Sequence, residues 1–142
     1  MTYVSVPVNQ RGHGELEVNT KARDLTAYTF KILANDKWFP KEQGAYIDTL
    51  QKCVLQIQLL CWDANNIRVD NDAMKYSRRL SMQEEAIGYC NRMSMLIETA
   101  KSLFHLTNSR VTYWGGMVSD LRKMITAWRS KDASRLLPKE GG

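Results

Sequence analysis

The sequence predicts an all-α protein, an antiparallel up-down four-helix bundle that follows a flexible N-terminal arm. Three observations favour this fold class. Apolar residues recur with helical spacing in four segments, including an unbroken a/d stripe near the end of the chain. No segment of the body shows the sustained two-residue alternation of strands. Connections between neighbouring helices are short, which is typical of antiparallel bundles. The a/d stripe consists of Val111, Trp114, Val118, Leu121, Ile125 and Trp128.

The beginning of the chain is predicted to be an arm followed by a helix. Residues 1–18 form the flexible arm, in which two glycines loosen the second half. The first helix is expected to start after Asn19 or Thr20, because either side chain accepts a hydrogen bond from an unpaired N–H at a helix N-terminus. Residues 35–36 end this helix, and the apolar corner at residues 38–40 leads into the second helix.

The remaining helices follow from their caps and apolar spacing. The second helix is predicted over about residues 41–66. A third helix starts near Asp72 or at Ser81–Glu84, where the serine and the glutamate fit a capping box. Residues 107–109 turn the chain into the fourth helix. The predicted division is an arm at 1–18, a four-helix bundle at 19–132 and a loose tail at 133–142.

Composition indicates a protein without membrane spans or disulfide bonds. The 142 residues are 44% hydrophobic and 25% charged, as in ordinary soluble domains. No apolar run approaches the roughly 18 residues of a membrane span, and the N-terminus lacks the features of a signal peptide. The three cysteines Cys53, Cys61 and Cys90 fall in apolar helical stripes and are predicted to be reduced core residues. We therefore expect a cytoplasmic protein that does not associate with membranes.

The sequence offers no arrangement of residues for catalysis, metal binding or a cofactor. His13 and His105 have no cysteine or carboxylate at metal-ligand spacing. Residues 70–72 resemble the start of a calcium loop but lack its glycine and terminal glutamate, so helix capping explains them better. No glycine-rich phosphate loop occurs. The prediction is a protein that is not an enzyme and needs no cofactor or metal.

Positive charge is concentrated in the last helix. From residue 108 onward there are seven Lys/Arg and three Asp/Glu, a net of +4 out of the chain's +5. Such an asymmetry favours a polyanionic partner, although a solvated helix face is the plain alternative. The candidate nucleic-acid-binding residues are Arg122, Lys123, Arg129, Lys131 and Arg135, and Arg78-Arg79 is the second candidate site.

Two further features lie outside the core pattern. Leu55, Leu59 and Trp62 form a second apolar stripe, opposite the core face of the second helix. Such a stripe is a liability in a monomer, so we assign it to a subunit interface, with the N-terminal arm as the alternative cover. Gly115-Gly116 costs a helix about 1 kcal/mol per residue relative to alanine. The expected reason is a close approach by a neighbouring helix or a phosphate.

Three segments resemble a family of small bacterial four-helix-bundle proteins. They are Phe39-Pro40-Lys41, the Leu/Gln-rich run 48–66 and the segment 121–128. The family includes the proteins encoded by intervening sequences of 23S ribosomal RNA genes and the accessory variability determinant (Avd) of diversity-generating retroelements. The resemblance covers roughly residues 20–131 and is closer to the Avd branch. Its small-Trp-basic ending corresponds to residues 127–129, although Thr126-Ala127 replaces the two glycines often found there.

The resemblance implies a specific role. Avd proteins are basic helical bundles that assemble into a ring-like homopentamer and bind the retroelement's reverse transcriptase and its template RNA. They support the adenine-mutagenic copying of that RNA into cDNA. The expected partners are therefore a reverse transcriptase, the phosphate backbone of RNA or DNA, and further copies of this chain. The alternative is a stand-alone bundle of the 23S intervening-sequence type, an interaction module without a polymerase.

Overall fold

A computed structural model describes residues 13–68 and 72–136, and these residues are helical with short connections. The four helices are α1 (His13–Leu33), α2 (Gly44–Asn65), α3 (Ala73–Leu103) and α4 (Asn108–Leu136), and a single 3₁₀ turn, Lys41–Gln43, precedes α2. No strand occurs in the described ranges, so the all-α prediction is confirmed. Most of the predicted arm, residues 1–12, lies outside the described residues, as does most of the tail.

The four helices pack around one apolar core. Each helix packs against the next along the chain, and α4 packs back against α1. Within the described residues, no helix is both long and apolar enough to cross a membrane. The core contains the whole predicted stripe of α4 together with residues from the other three helices. Its largest fully buried members include Leu25, Phe39, Leu50, Ile57, Met93, Ile97, Trp114 and Leu121.

Three polar contacts tie the ends of the helices together. The indole Nε1 of Trp114, early in α4, donates to Thr29 Oγ1, late in α1, at 3.0 Å. The Tyr46 hydroxyl at the start of α2 donates to the carbonyl of Leu96 in the second half of α3. An ion pair joins the first turns of α3 to the last turns of α4. In each pair, the beginning of one helix contacts the end of its neighbour.

Helix α1 begins earlier than predicted. It starts at His13, so the prediction of a start after Asn19 or Thr20 was wrong, and residues 13–18 belong to a helix. The physical reason is that Val18 extends the apolar stripe of this helix by one further turn. Its side chain is fully buried, and this burial outweighs the capping preference of the two polar residues behind it.

The capping box at Ser81–Glu84 was also wrong. These residues lie inside α3, which begins at Ala73. The cap is Asp72, whose side-chain oxygen accepts from the backbone N–H groups of Met74 and Lys75 at 2.9 and 3.3 Å. The prediction of a start near Asp72 is therefore the correct one of the two. A serine followed by glutamate three residues later forms a capping box only at the first turn of a helix, and Ser81 lies two turns inside α3.

The C-terminal end of α4 extends beyond the predicted bundle. The helix continues to Leu136, so residues 133–136, predicted to be part of a loose tail, are helical. Asp132 is only 1% exposed, and its buried ion pair fixes the last turns. The beginning of the helix agrees with prediction, because Thr107 Oγ1 accepts from the backbone N–H of Arg110 at 3.2 Å.

The glycine pair in α4 does not serve a close approach between helices. A Cβ atom added at Gly115 or Gly116 would meet no heavy atom within 4 Å among the described residues. The expectation that a neighbouring helix presses against these residues was therefore wrong for the isolated chain. The space beside both glycines is open to solvent or to a partner, and their helix-weakening effect is not compensated by packing within this chain.

Candidate nucleic-acid interface and oligomer surface

The five basic candidates of α4 do not lie on one continuous face. At 100° per residue, Arg122 and Arg129 share the side of α4 that faces α3, and Lys123 points outward. Lys131 and Arg135 lie on the opposite flank, the side from which Tyr113 contacts Tyr28 of α1. The structure thus divides the predicted set into two flanks with a single lysine between them.

The α3-facing flank is partly used within the molecule. Arg129 Nε donates to the Leu80 carbonyl at 3.1 Å and lies 3.3 Å from a carboxylate oxygen of Glu84, and its side chain is 35% exposed. Burial raises the pKa of the Cys90 thiol to about 12, with Cys53 adding to the rise and the charge of Arg122 opposing it. Arg122 lies seven residues, about two helical turns, before Arg129 and therefore on the same side of α4.

The α1-facing flank is more accessible. Lys131 is exposed. The Arg135 side chain is 51% exposed and lies 3.6 Å from Asp132 Oδ1. Since that carboxylate also binds a buried arginine, Arg135 retains part of its charge for an outside partner. Of the five candidates, Lys123 and Lys131 are the two exposed side chains with no ion pair among the described residues.

The second candidate, Arg78-Arg79, is split by the fold. Arg78 is exposed, but Arg79 is only 2% exposed and cannot reach a phosphate. Its Nε donates to Asp132 Oδ2 at 2.6 Å, its Nη1 donates to the Ile67 carbonyl at 2.9 Å, and Gln83 Nε2 donates to the same Asp132 oxygen at 2.8 Å. The prediction that Arg79 contacts nucleic acid was therefore wrong, because this side chain belongs to a buried polar cluster.

The buried cluster was not predicted, although a signal for it exists. The core stripe of α3, continued toward its N-terminus, passes through Gln83 and Arg79 at helical spacing, and the stripe of α4 continues to Asp132. Opposite charges at core positions of two adjacent stripes indicate a buried pair. Within the described residues, three of the four buried polar or charged side chains belong to this cluster, namely Arg79, Gln83 and Asp132. Gln83 Oε1 and the nearby Trp128 Nε1 are buried there without a hydrogen-bond partner.

The apolar stripe of α2 is exposed in the single chain. Leu55, Leu59 and Trp62 are 38%, 52% and 53% exposed, and they lie opposite the buried face of the helix. No other helix of the described chain covers them. Three large apolar side chains on adjacent turns form a surface of the kind that protein interfaces bury.

The three cysteines are buried, as predicted from their positions in the apolar stripes. Burial raises the pKa of Cys53 to about 11 and that of Cys61 to about 12, so both thiols are protonated at neutral pH. Because the thiolate is the nucleophile and the metal ligand, these side chains behave as core residues. Among the described residues, no group of three His, Cys, Asp or Glu is placed to hold a metal ion.

Aromatic residues at the α1–α4 boundary were not singled out from the sequence. The rings of Tyr28 and Tyr113 meet edge to face, with centroids 5.2 Å apart. Nearby, the guanidinium of Arg110 lies 3.6 Å from the centre of the Trp38 ring. Sequence spacing does not reveal these pairs, because each joins residues that are distant along the chain.

Comparison with protein-family models, with curated proteins and with solved structures finds no match to this chain.

Proposed function

We propose that this protein is a non-enzymatic accessory protein of a diversity-generating retroelement, which binds a reverse transcriptase and its template RNA or cDNA in the cytoplasm. The resemblance to the Avd branch suggests the role. The observation that carries it is the concentration of positive charge on α4 of an all-helical chain, a net of +4 from residue 108 onward. Phosphate contacts from Arg and Lys give affinity without sequence readout, which suits a protein that holds RNA for a polymerase.

The arrangement we propose for the helices is the antiparallel up-down bundle. The Trp114–Thr29, Tyr46–Leu96 and Arg79–Asp132 contacts support it, because each joins the beginning of one helix to the end of another. The packing of each helix against its sequence neighbour, and of α4 against α1, agrees with this topology.

We also propose a homo-oligomer, a pentamer by analogy with the Avd branch, whose interface includes the exposed stripe of α2. Replacing Leu59 and Trp62 together with glutamate is expected to give a monomer, because two charges would have to be desolvated in the interface. Light scattering measures the mass, and circular dichroism checks that the helices remain. Met95→Glu is the matched control, since Met95 is 56% exposed on the outward side of α3. A parent protein of monomer mass would refute the interface.

Reversing charge on α4 is expected to remove most nucleic-acid binding. Arg122→Glu with Arg129→Glu lowers the net charge by four, and loss of several phosphate contacts per ring weakens binding cooperatively. Fluorescence anisotropy at low salt with a labelled RNA measures the change. The control pair, Arg23→Glu with Lys52→Glu, lowers the net charge equally on α1 and α2, where both side chains are exposed. Equal loss in both pairs would indicate a general charge effect and no localised site.

The alternative is a stand-alone bundle of the 23S intervening-sequence type without a polymerase. Neighbouring reading frames distinguish the two functions, since a retroelement carries a reverse transcriptase and paired repeats that differ at adenines. The direct test is co-expression with that polymerase followed by affinity purification. We expect the two proteins to co-purify and cDNA synthesis from the template RNA to depend on this chain. Unchanged synthesis without it would contradict the proposed function.

A further inference from the structure

An open groove lies along the boundary between α1 and α4, in addition to the two basic flanks of α4. Two adjoining clefts of about 490 and 440 Å³ share Tyr28 as a wall. Each lies within the roughly 300–1,000 Å³ of ligand-binding clefts. Tyr113 and Met117 line the first cleft, and Trp38 and Arg110 line the second. The groove therefore runs along α4 from its first turn.

The groove presents aromatic and planar cationic groups to solvent. Tyr113 is 60% exposed, although an aromatic ring at that position is not needed for the core. Tyr28 supports it from α1 through an edge-to-face contact at 69°. Arg110 stacks against Trp38 at 3.6 Å and pairs with no carboxylate among the described residues. Tyrosine rings and arginine planes are the surfaces on which unpaired nucleobases stack.

Charges in and beyond the groove favour a polyanion. Lys21, Lys31 and Arg110 line it, against two acidic residues, of which Asp24 pairs with Arg23 at 3.2 Å. The same side of α4 continues to Lys131 and Arg135, which lie about 27 and 33 Å from Tyr113 at 1.5 Å per residue. One side of α4 thus offers stacking groups at its beginning and cations at its end.

We propose that the α1–α4 groove binds single-stranded nucleic acid, with bases stacking on Tyr113 and on the Arg110–Trp38 pair, and with Lys131 and Arg135 binding phosphates further along the strand. This inference rests on the proposed nucleic-acid-binding function and assigns its site. Of the five basic candidates, the α1-facing pair contacts the strand in line with the groove, and the other three supply the positive charge that attracts its phosphates to α4. A duplex has no unpaired bases to offer, so single strands bind more tightly than duplexes.

The test uses the full-length protein and three fluorescein-labelled single strands of about 20 nucleotides, longer than a typical single-strand site. They are an oligoadenylate as RNA, the same sequence as DNA, and a DNA strand with abasic sugars. Tyr113→Leu is expected to weaken binding of the two adenylate strands about 5- to 150-fold, the range for loss of one stacked base. Binding of the abasic strand is expected to stay unchanged, and Tyr113→Phe is expected to bind like the parent.

Matched controls separate stacking from charge. Arg110→Gln removes the guanidinium stacked on Trp38, and it is expected to weaken adenylate binding. Arg92→Gln removes a guanidinium that lies 4.7 Å from the Tyr89 ring on α3, and it is expected to have no such effect. Equal adenylate binding by the parent and Tyr113→Leu would overturn the groove but leave the proposed function standing, whereas a parent that binds none of the strands would overturn both. If Tyr113→Leu keeps nucleic-acid binding but loses co-purification with the polymerase, the groove is a protein interface and our assignment is wrong.

Discussion

Replacing Trp128 with alanine is expected to lower the free energy of unfolding by about 3–5 kcal/mol, the usual cost of truncating a large buried aromatic side chain. Trp128 is 6% exposed, and its ring lies 5.3 Å from the guanidinium carbon of Arg79. The alanine variant therefore leaves a cavity and also uncovers a buried charge. A denaturant titration followed by circular dichroism measures the change.

Tyr113→Ala is the control for this substitution, since it removes a large aromatic from the same helix at a position that is 60% exposed. Its expected cost is about 1.5 kcal/mol or less, because the contact it loses is the edge-to-face packing on Tyr28. A loss below 1 kcal/mol for Trp128→Ala would show that the end of α4 is not anchored in the core. Similar losses in the two variants would show that burial does not determine the cost of truncating these side chains.

Replacing Asp132 with alanine is also expected to lower the free energy of unfolding by about 3–5 kcal/mol, because the buried Arg79 would lose its carboxylate partner. Both side chains of the Arg79–Asp132 pair are 2% exposed, and the same Asp132 oxygen accepts from Gln83. The control is Arg135→Gln, which removes a cation 3.6 Å from the other oxygen of that carboxylate but from the exposed side. Exposed ion pairs contribute about 0–1 kcal/mol, so little change is expected there.

A double substitution tests whether the cost comes from the uncompensated charge. Arg79→Leu with Asp132→Leu removes both ions, and it is expected to be less damaging than Asp132→Ala alone. Thermal and denaturant unfolding of this double variant and of the two single variants, Arg79→Leu and Asp132→Leu, give the coupling free energy between the two positions. If the loss of stability in the double variant equals the sum of the losses in the single variants, the ion pair is energetically unimportant and the cluster stabilises the fold through packing.

The fold class could be predicted from the sequence because a helix that packs against a core must repeat its apolar residues at helical spacing. The α4 stripe from Val111 to Trp128 is buried as predicted, since an apolar a/d seam of that length has no other favourable environment. Helix ends were less predictable. Asn19, Thr20 and Ser81 all have the chemistry of caps, yet each lies inside a helix because apolar residues before it, such as Val18, continue the buried face.

Only part of the candidate site could be found in the sequence. The α2 stripe was visible because its residues are spaced by whole turns of one helix. Net charge on α4 was equally visible, but its division into two flanks depends on where the core face lies. The Arg79–Asp132, Tyr28–Tyr113 and Trp38–Arg110 contacts join residues 53, 85 and 72 positions apart in the chain. Local patterns contain no information about such pairs until the helices are placed side by side.

The buried ion pair also fixes the axial register of the two longest helices. Helices α3 and α4 have 31 and 29 residues, and apolar stripes of that length remain in contact if one helix slides past the other by a turn, about 5.4 Å. Such a slide would separate Arg79 from Asp132 within a low-dielectric core and leave each charge buried without the other, at a cost of several kcal/mol. A single polar contact thus selects one alignment of α3 and α4 from several that the apolar residues tolerate.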